Sequence, residues 1–145
     1  MFVDRPTFEA RRDAGGFLEW TEYLGNLYGT PVPDPHPGRD LLLEIEVDGA
    51  RQVKARHPDA VVVLLVPPSV EVQAERLRRR GEDEEAVARR VAAGRDEVAA
   101  LRRFADHEVV NDEVDRAVAE LAGILELHRR AAARAAPGGE PSGGP

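Results

Sequence analysis

Apolar and polar positions change rhythm twice along this chain. The first sixteen residues, "MFVDRPTFEARRDAGG", read as a strand end and then a short helix from about Arg5 to Ala14, with Pro6 in its first turn and Gly15–Gly16 closing it. A strand follows at "FLEW". The stretch "PVPDPHPG" (31–38) carries four prolines and can be neither helix nor central strand, so it is a connection. Beyond it the rhythm is regular: an apolar run "LLLEIEV" (41–47), helical "GARQVKARHP", an apolar run "AVVVLLVPP" (60–68), helical sequence from about Val70 to Ala105, a short run "EVVN" (108–111), and a last helix from Glu113 to about Ala135.

Apolar runs alternating with helices predict an α/β fold, a parallel sheet covered by helices. Both long helices carry apolar residues at helical spacing: Val87, Val91, Gly94, Val98 and Leu101 in one, Val114, Val118, Leu121, Leu125 and His128 in the other. The domain reading is a small α+β subdomain with its proline-rich connection (1–38), a core α/β domain (39–136) with a lid at about 76–95, and a disordered tail (137–145). Three sheet strands are few for such a domain.

Charge narrows the classes. A net charge of -7 argues against a general nucleic-acid binder. The chain has no cysteine, no apolar run of membrane-spanning length and no charged-then-apolar leader, so a cytoplasmic protein without membrane contact is expected. Nineteen of its twenty basic residues are arginine, and seven of these lie between Arg76 and Arg95 around the acidic turn "GEDEE". Such arginines are either solvated helix faces or a lid that closes on phosphates. In "LLLEIEVDGA", read as a strand, Glu44, Glu46 and Asp48 alternate onto one face, either at a ligand cleft or at a solvated strand end.

The blocks "FLEWTEYLGNLYGTP", "LLLEIEVDGARQV", "VVVLLVPPS", "RRRGEDEEAVARRV" and "HEVVNDEVDRAV" together resemble guanylate kinase, over Phe2 to about Leu127. The resemblance implies a nucleoside monophosphate kinase fold with a GMP-binding subdomain and a lid. It also implies the reaction ATP + GMP to ADP + GDP with Mg2+, in purine nucleotide metabolism. Carried over by position, Glu19 accepts from the guanine N1 and N2 donors, Tyr28 holds the GMP phosphate, and Thr30 contacts the base. Glu46 stands where an aspartate usually helps read guanine, and Glu44 where an acid lies near the metal and phosphates. Arg80 and Arg90 match lid arginines on ATP and the transferring phosphate, and Asn111 a residue beside the adenine of ATP.

Four departures stand out: Leu27 for a tyrosine, Asp48 for a glutamine, a lid loop one residue shorter than usual, and "PVPDPHPGRD" in place of a helix. No G-x-x-x-x-G-K-[ST] occurs, and the single lysine, Lys54, falls in a helix. In the family the strand and phosphate loop precede the GMP subdomain, so the resemblance implies that this chain starts after them. Met1 is then an internal methionine taken as the start, and the 145-residue chain alone is an incomplete kinase prone to association. The alternatives are a non-catalytic guanylate kinase-like binding module and a decayed fragment.

Overall fold

The computed structural model describes residues 2–23, 25–34 and 39–135, which form two compact units meeting in sequence at Val62 and Val63. In the first unit, Asp4 accepts a hydrogen bond from the Thr7 amide at 3.0 Å and caps helix α1 (Arg5–Asp13), where Pro6 costs no hydrogen bond. Strands β1 (Phe17–Tyr23) and β2 (Asn26–Pro31) pair antiparallel. Phe8 of α1 stacks on Phe17 with ring centroids 4.4 Å apart, and Arg12 lies over Trp20.

Helix α2 (Val47–Arg56) also belongs to this unit, packed along β1. The division of the chain therefore falls after α2 instead of within the proline-rich connection. The reason is polar as well as apolar: α2 buries Ala50 and Val53 and binds the β1 backbone through Gln52 and Arg56.

The expected strand at 41–47 is not formed. Residues 41–46 take no regular structure, Leu41 and Leu42 are exposed, and α2 begins at Val47. A strand exists only by pairing, and none of the described strands pairs with this run. Glu44, Glu46 and Asp48 consequently do not share a strand face. Glu44 lies exposed in the irregular run, Glu46 is the residue at the N-cap of α2, and Asp48 is in its first turn.

The second unit contains a parallel pair, β3 (Val63–Val66) with β4 (His107–Val110), in the register Val63 to His107 through Val66 to Val110. Between them run α3 (Val70–Arg79), capped by Ser69, and α4 (Glu84–Leu101), capped by Asp83. A parallel pair needs such a crossover. Leu64, Val66, Leu77, Val87, Val109 and Ala117 make its core.

The α4 seam is as expected, with Val87 buried and Val91, Val98 and Leu101 half-buried. In α5 (Val114–Ala135) the buried side is turned from the expected one: Ala117 is 5% exposed and Leu121, Ile124 and His128 are half-buried, whereas Val114, Val118 and Leu125 are exposed. His128 meets His107 of β4 at 2.8 Å between Nε2 atoms, which fixes the side of α5 turned to the sheet. The tail 137–145 and residues 35–38 of the proline-rich connection lie outside the described residues.

Candidate functional site

Alternation along the hairpin puts Glu19, Thr21, Tyr28 and Thr30 on one face, because Glu19 pairs with Thr30 and Thr21 with Tyr28. A bulge between Phe17 and Glu19 inserts the buried Leu18 and lets Phe17 turn to α1. Glu19 is 5% exposed, an unusual position for a carboxylate. Its Oε1 accepts from the Thr30 amide at 2.9 Å and the Thr30 hydroxyl at 2.5 Å. Its Oε2 lies against Gly49, in the first turn of α2 and so near the positive end of that helix.

Glu46 sits at the same end of α2. Its Oε1 is buried and has no hydrogen-bond partner, and its side chain makes no cap bond. A buried acceptor left unpaired is costly, so the position suits a ligand donor. Tyr28, half exposed at 53%, carries its phenol on the face shared with Glu19 and Thr30. The first unit thus sets Glu19, Thr30 and Tyr28 on one face of the hairpin and Glu46 at the end of α2 that meets Glu19.

Three further residues shape the site without having stood out in the sequence. Gln52 Nε2 donates to the Trp20 carbonyl at 2.7 Å and its Oε1 accepts from the Trp20 amide at 3.3 Å, so one side-chain amide replaces a neighbouring strand. Arg56, one turn on, donates to the carbonyls of Phe17 and Leu18 at 3.1 and 2.8 Å. Gly49 lets the helix approach Glu19. The available signal is polar residues four apart in a helix whose other side is apolar, but their partners are backbone atoms distant in sequence.

In the second unit, the Asn111 amide donates to the Val66 carbonyl at 2.7 Å, continuing the β3–β4 ladder past its end. Asn111 and Arg80 line one open cleft with Leu65, Pro67, Gln73 and Arg76, at the carboxyl ends of both strands. Arg76 also donates to the Asp112 carbonyl at 3.1 Å and so anchors the segment beside Asn111.

The charged turn is mostly self-neutralised. Arg78 grips Glu84 with two bonds of 2.6 and 2.9 Å, and this holds the Glu84 carboxyl below its ordinary range. Arg79 pairs with Glu75, Arg89 with Glu85, and Arg90 with Glu82 at 2.6 Å. Arg80, exposed at the C-cap of α3, has no ion-pair partner among the described residues.

Among the described residues no group of three or more histidine, cysteine, aspartate or glutamate side chains is placed to hold a metal ion. Glu44, the acid expected near the metal and phosphates, stands exposed in the irregular run.

The sequence pattern of the guanylate kinase family matches residues 1–128. The chain belongs to the guanylate kinase family. It is 44% identical over 133 residues to the guanylate kinase of Chromobacterium violaceum, covering 88% of this chain and 63% of that protein. To a guanylate kinase of Thermus thermophilus it is 46% identical over 138 residues, covering 92% and 62%. Its fold is similar to the crystal structure of guanylate kinase from Anaplasma phagocytophilum, with a TM-score of 0.64 at 26% identity, over 87% of this chain and 63% of that one. The chain thus spans somewhat less than two thirds of the length of these guanylate kinases.

No helix among the described residues is long and apolar enough to cross a membrane.

Proposed function

We propose that this chain carries the GMP-recognition and lid parts of a guanylate kinase acting in the transfer of a phosphoryl group from ATP to GMP. The observation that carries the reading is the buried Glu19 carboxylate, oriented by Thr30, with the unpartnered Glu46 Oε1 at the same end of α2. Two buried acceptors suit the N1 and N2 donors of guanine. Adenine lacks that donor pair, and leaving a buried carboxylate unpaired is the strong form of discrimination. In this reading Thr30 contacts the base and Tyr28 the GMP phosphate.

Arg80 and Asn111 share the cleft at the strand ends, which fits a site for ATP, with Asn111 beside the adenine and Arg80 toward the phosphates. Arg90 joins them by exchanging Glu82 for a phosphate. That exchange costs little, since an exposed ion pair contributes only about 0–1 kcal/mol. The chemistry these residues supply is positioning and stabilisation of charge in the transferring group. In this reading Mg2+ would come bound to the ATP phosphates, with Glu44 as the acid nearest to it, and would supply further charge stabilisation there.

The 145-residue sequence contains no G-x-x-x-x-G-K-[ST], the segment that would cradle the β and γ phosphates. We therefore expect this chain by itself to bind GMP and not to turn it over. Retention of Glu19, Tyr28 and Thr30 speaks for a nucleotide site over a peptide-binding module.

The test is calorimetric titration of the chain with GMP and with AMP, alongside ADP formation from ATP plus GMP. GMP should bind, AMP should bind at least about tenfold more weakly, and Glu19→Gln should remove the difference. Equal affinity for the two nucleotides would overturn the reading.

A further inference from the structure

We infer that Gly49 and Gln52 of α2 set where the Glu19 carboxylate stands, and thereby how strictly this site reads the 2-amino group of a purine. The inference rests on the guanine reading of the preceding subsection and adds to it two residues that act through the position of Glu19.

The carboxylate is caught between two neighbours. On one side Oε1 is held by the Thr30 amide at 2.9 Å and hydroxyl at 2.5 Å. On the other, a Cβ built on Gly49 would stand 2.9 Å from Glu19 Oε2 and 3.3 Å from Ile45 Cβ. Real Cβ atoms do not approach an oxygen that closely, so any side chain at 49 must push the carboxylate against Thr30 or lift α2 off the strand. The end of a glutamate is ordinarily free to yield. Here it is not, because Glu19 is 5% exposed and already bonded on its far side.

The helix cannot lift away either. Gln52, three residues beyond Gly49, binds both backbone polar groups of Trp20, the residue next to Glu19. Trp20 faces Gly29 across the hairpin and turns its amide and carbonyl to α2. The side-chain amide of Gln52 offers a donor and an acceptor, the same complement as a peptide group. Gln52 therefore sets the distance between α2 and β1, and Gly49 allows that distance to be short.

The two roles separate by mutation. Gly49→Ala replaces the poorest ordinary helix former by the best, so the helix itself gains and any loss at the site reports displacement of Glu19. Gln52→Leu keeps size and helix propensity while leaving the Trp20 amide and carbonyl unpaired.

The experiment is done on the 145-residue chain with two readouts: hydrogen exchange of the Thr30 amide without ligand, and calorimetric affinities for GMP and for IMP, which lacks the 2-amino group. The wild-type chain should prefer GMP by about tenfold or more. Gly49→Ala should bring the two affinities within about threefold of each other and speed Thr30 exchange about tenfold with helix content unchanged. Gln52→Leu should move both readouts in the same direction. Wild-type Thr30 protection and an undiminished GMP preference in Gly49→Ala would overturn the inference. If Thr30 exchange rises in Gly49→Ala but the wild-type chain does not distinguish GMP from IMP, positioning of Glu19 by Gly49 stands and the guanine reading falls.

Discussion

Thr30 and Glu19 face each other across the β1–β2 hairpin, and Thr30 gives both its amide and its hydroxyl to a single carboxylate oxygen. This leaves Glu19 buried, oriented and facing α2. Thr30→Val keeps the β-branched shape and removes the hydroxyl. Loss of one hydrogen bond to a buried charged group should lower unfolding stability by about 1–3 kcal/mol, read from the urea midpoint. An unchanged midpoint would mean that the amide alone satisfies the carboxylate.

Arg56 holds the bulged end of β1 to α2 through the carbonyls of Phe17 and Leu18. Arg56→Met retains the aliphatic stem and removes both donors. Because Arg56 is exposed, a modest cost of about 1 kcal/mol is expected. Faster amide exchange should be confined to the β1 region and absent from β3 and β4.

Two glycines should respond with opposite sign. Gly81, in the turn between α3 and α4, has φ +87°, so Gly81→Ala should destabilise by about 1–2 kcal/mol through backbone strain although open space surrounds it. Gly123 lies inside α5 with open space around it, so Gly123→Ala should stabilise by up to about 1 kcal/mol. Thermal midpoints of the two variants should therefore move apart.

Asp112 accepts from Arg116 Nε at 2.7 Å and from the Glu113 amide at 2.6 Å, and the arginine bond is the chief reason its carboxyl lies below the ordinary aspartate range. A folded-state pKa that is depressed contributes stability fully present above the unfolded value and lost as pH falls through the folded one. The stability difference between the wild-type chain and Asp112→Asn should thus be constant from neutral pH to about pH 5 and shrink below about pH 4. Urea midpoints over that range check it, and a difference independent of pH would count against the pair. The exposed setting makes the difference small and sensitive to salt.

Much of the architecture is legible in the sequence where a local cause suffices. Pro6 in the first turn of α1, Gly15–Gly16 at its end, the proline-rich connection and the alternating apolar runs each act within one turn or one strand. Where sequence and structure part, the cause is not local. "LLLEIEV" has the composition of a buried strand, but strandedness is a property of pairs, and with none of the described strands pairing with it the run stays irregular. The buried side of α5 follows its expected seam only at Leu121 and His128, because Val114, Val118 and Leu125 are apolar whether or not anything covers them.

Family membership, the glycine and proline breaks, and the residue types at the candidate site were readable from the order of residues, since they depend on side-chain identity and near neighbours. Three facts came from the folded chain alone: Glu19 is buried between Thr30 and Gly49, Gln52 and Arg56 serve as backbone partners for β1, and Glu46 Oε1 is left without a partner. Those facts arise between atoms distant along the chain. The need to satisfy buried polar groups acts through space and leaves no periodic trace in the order of residues.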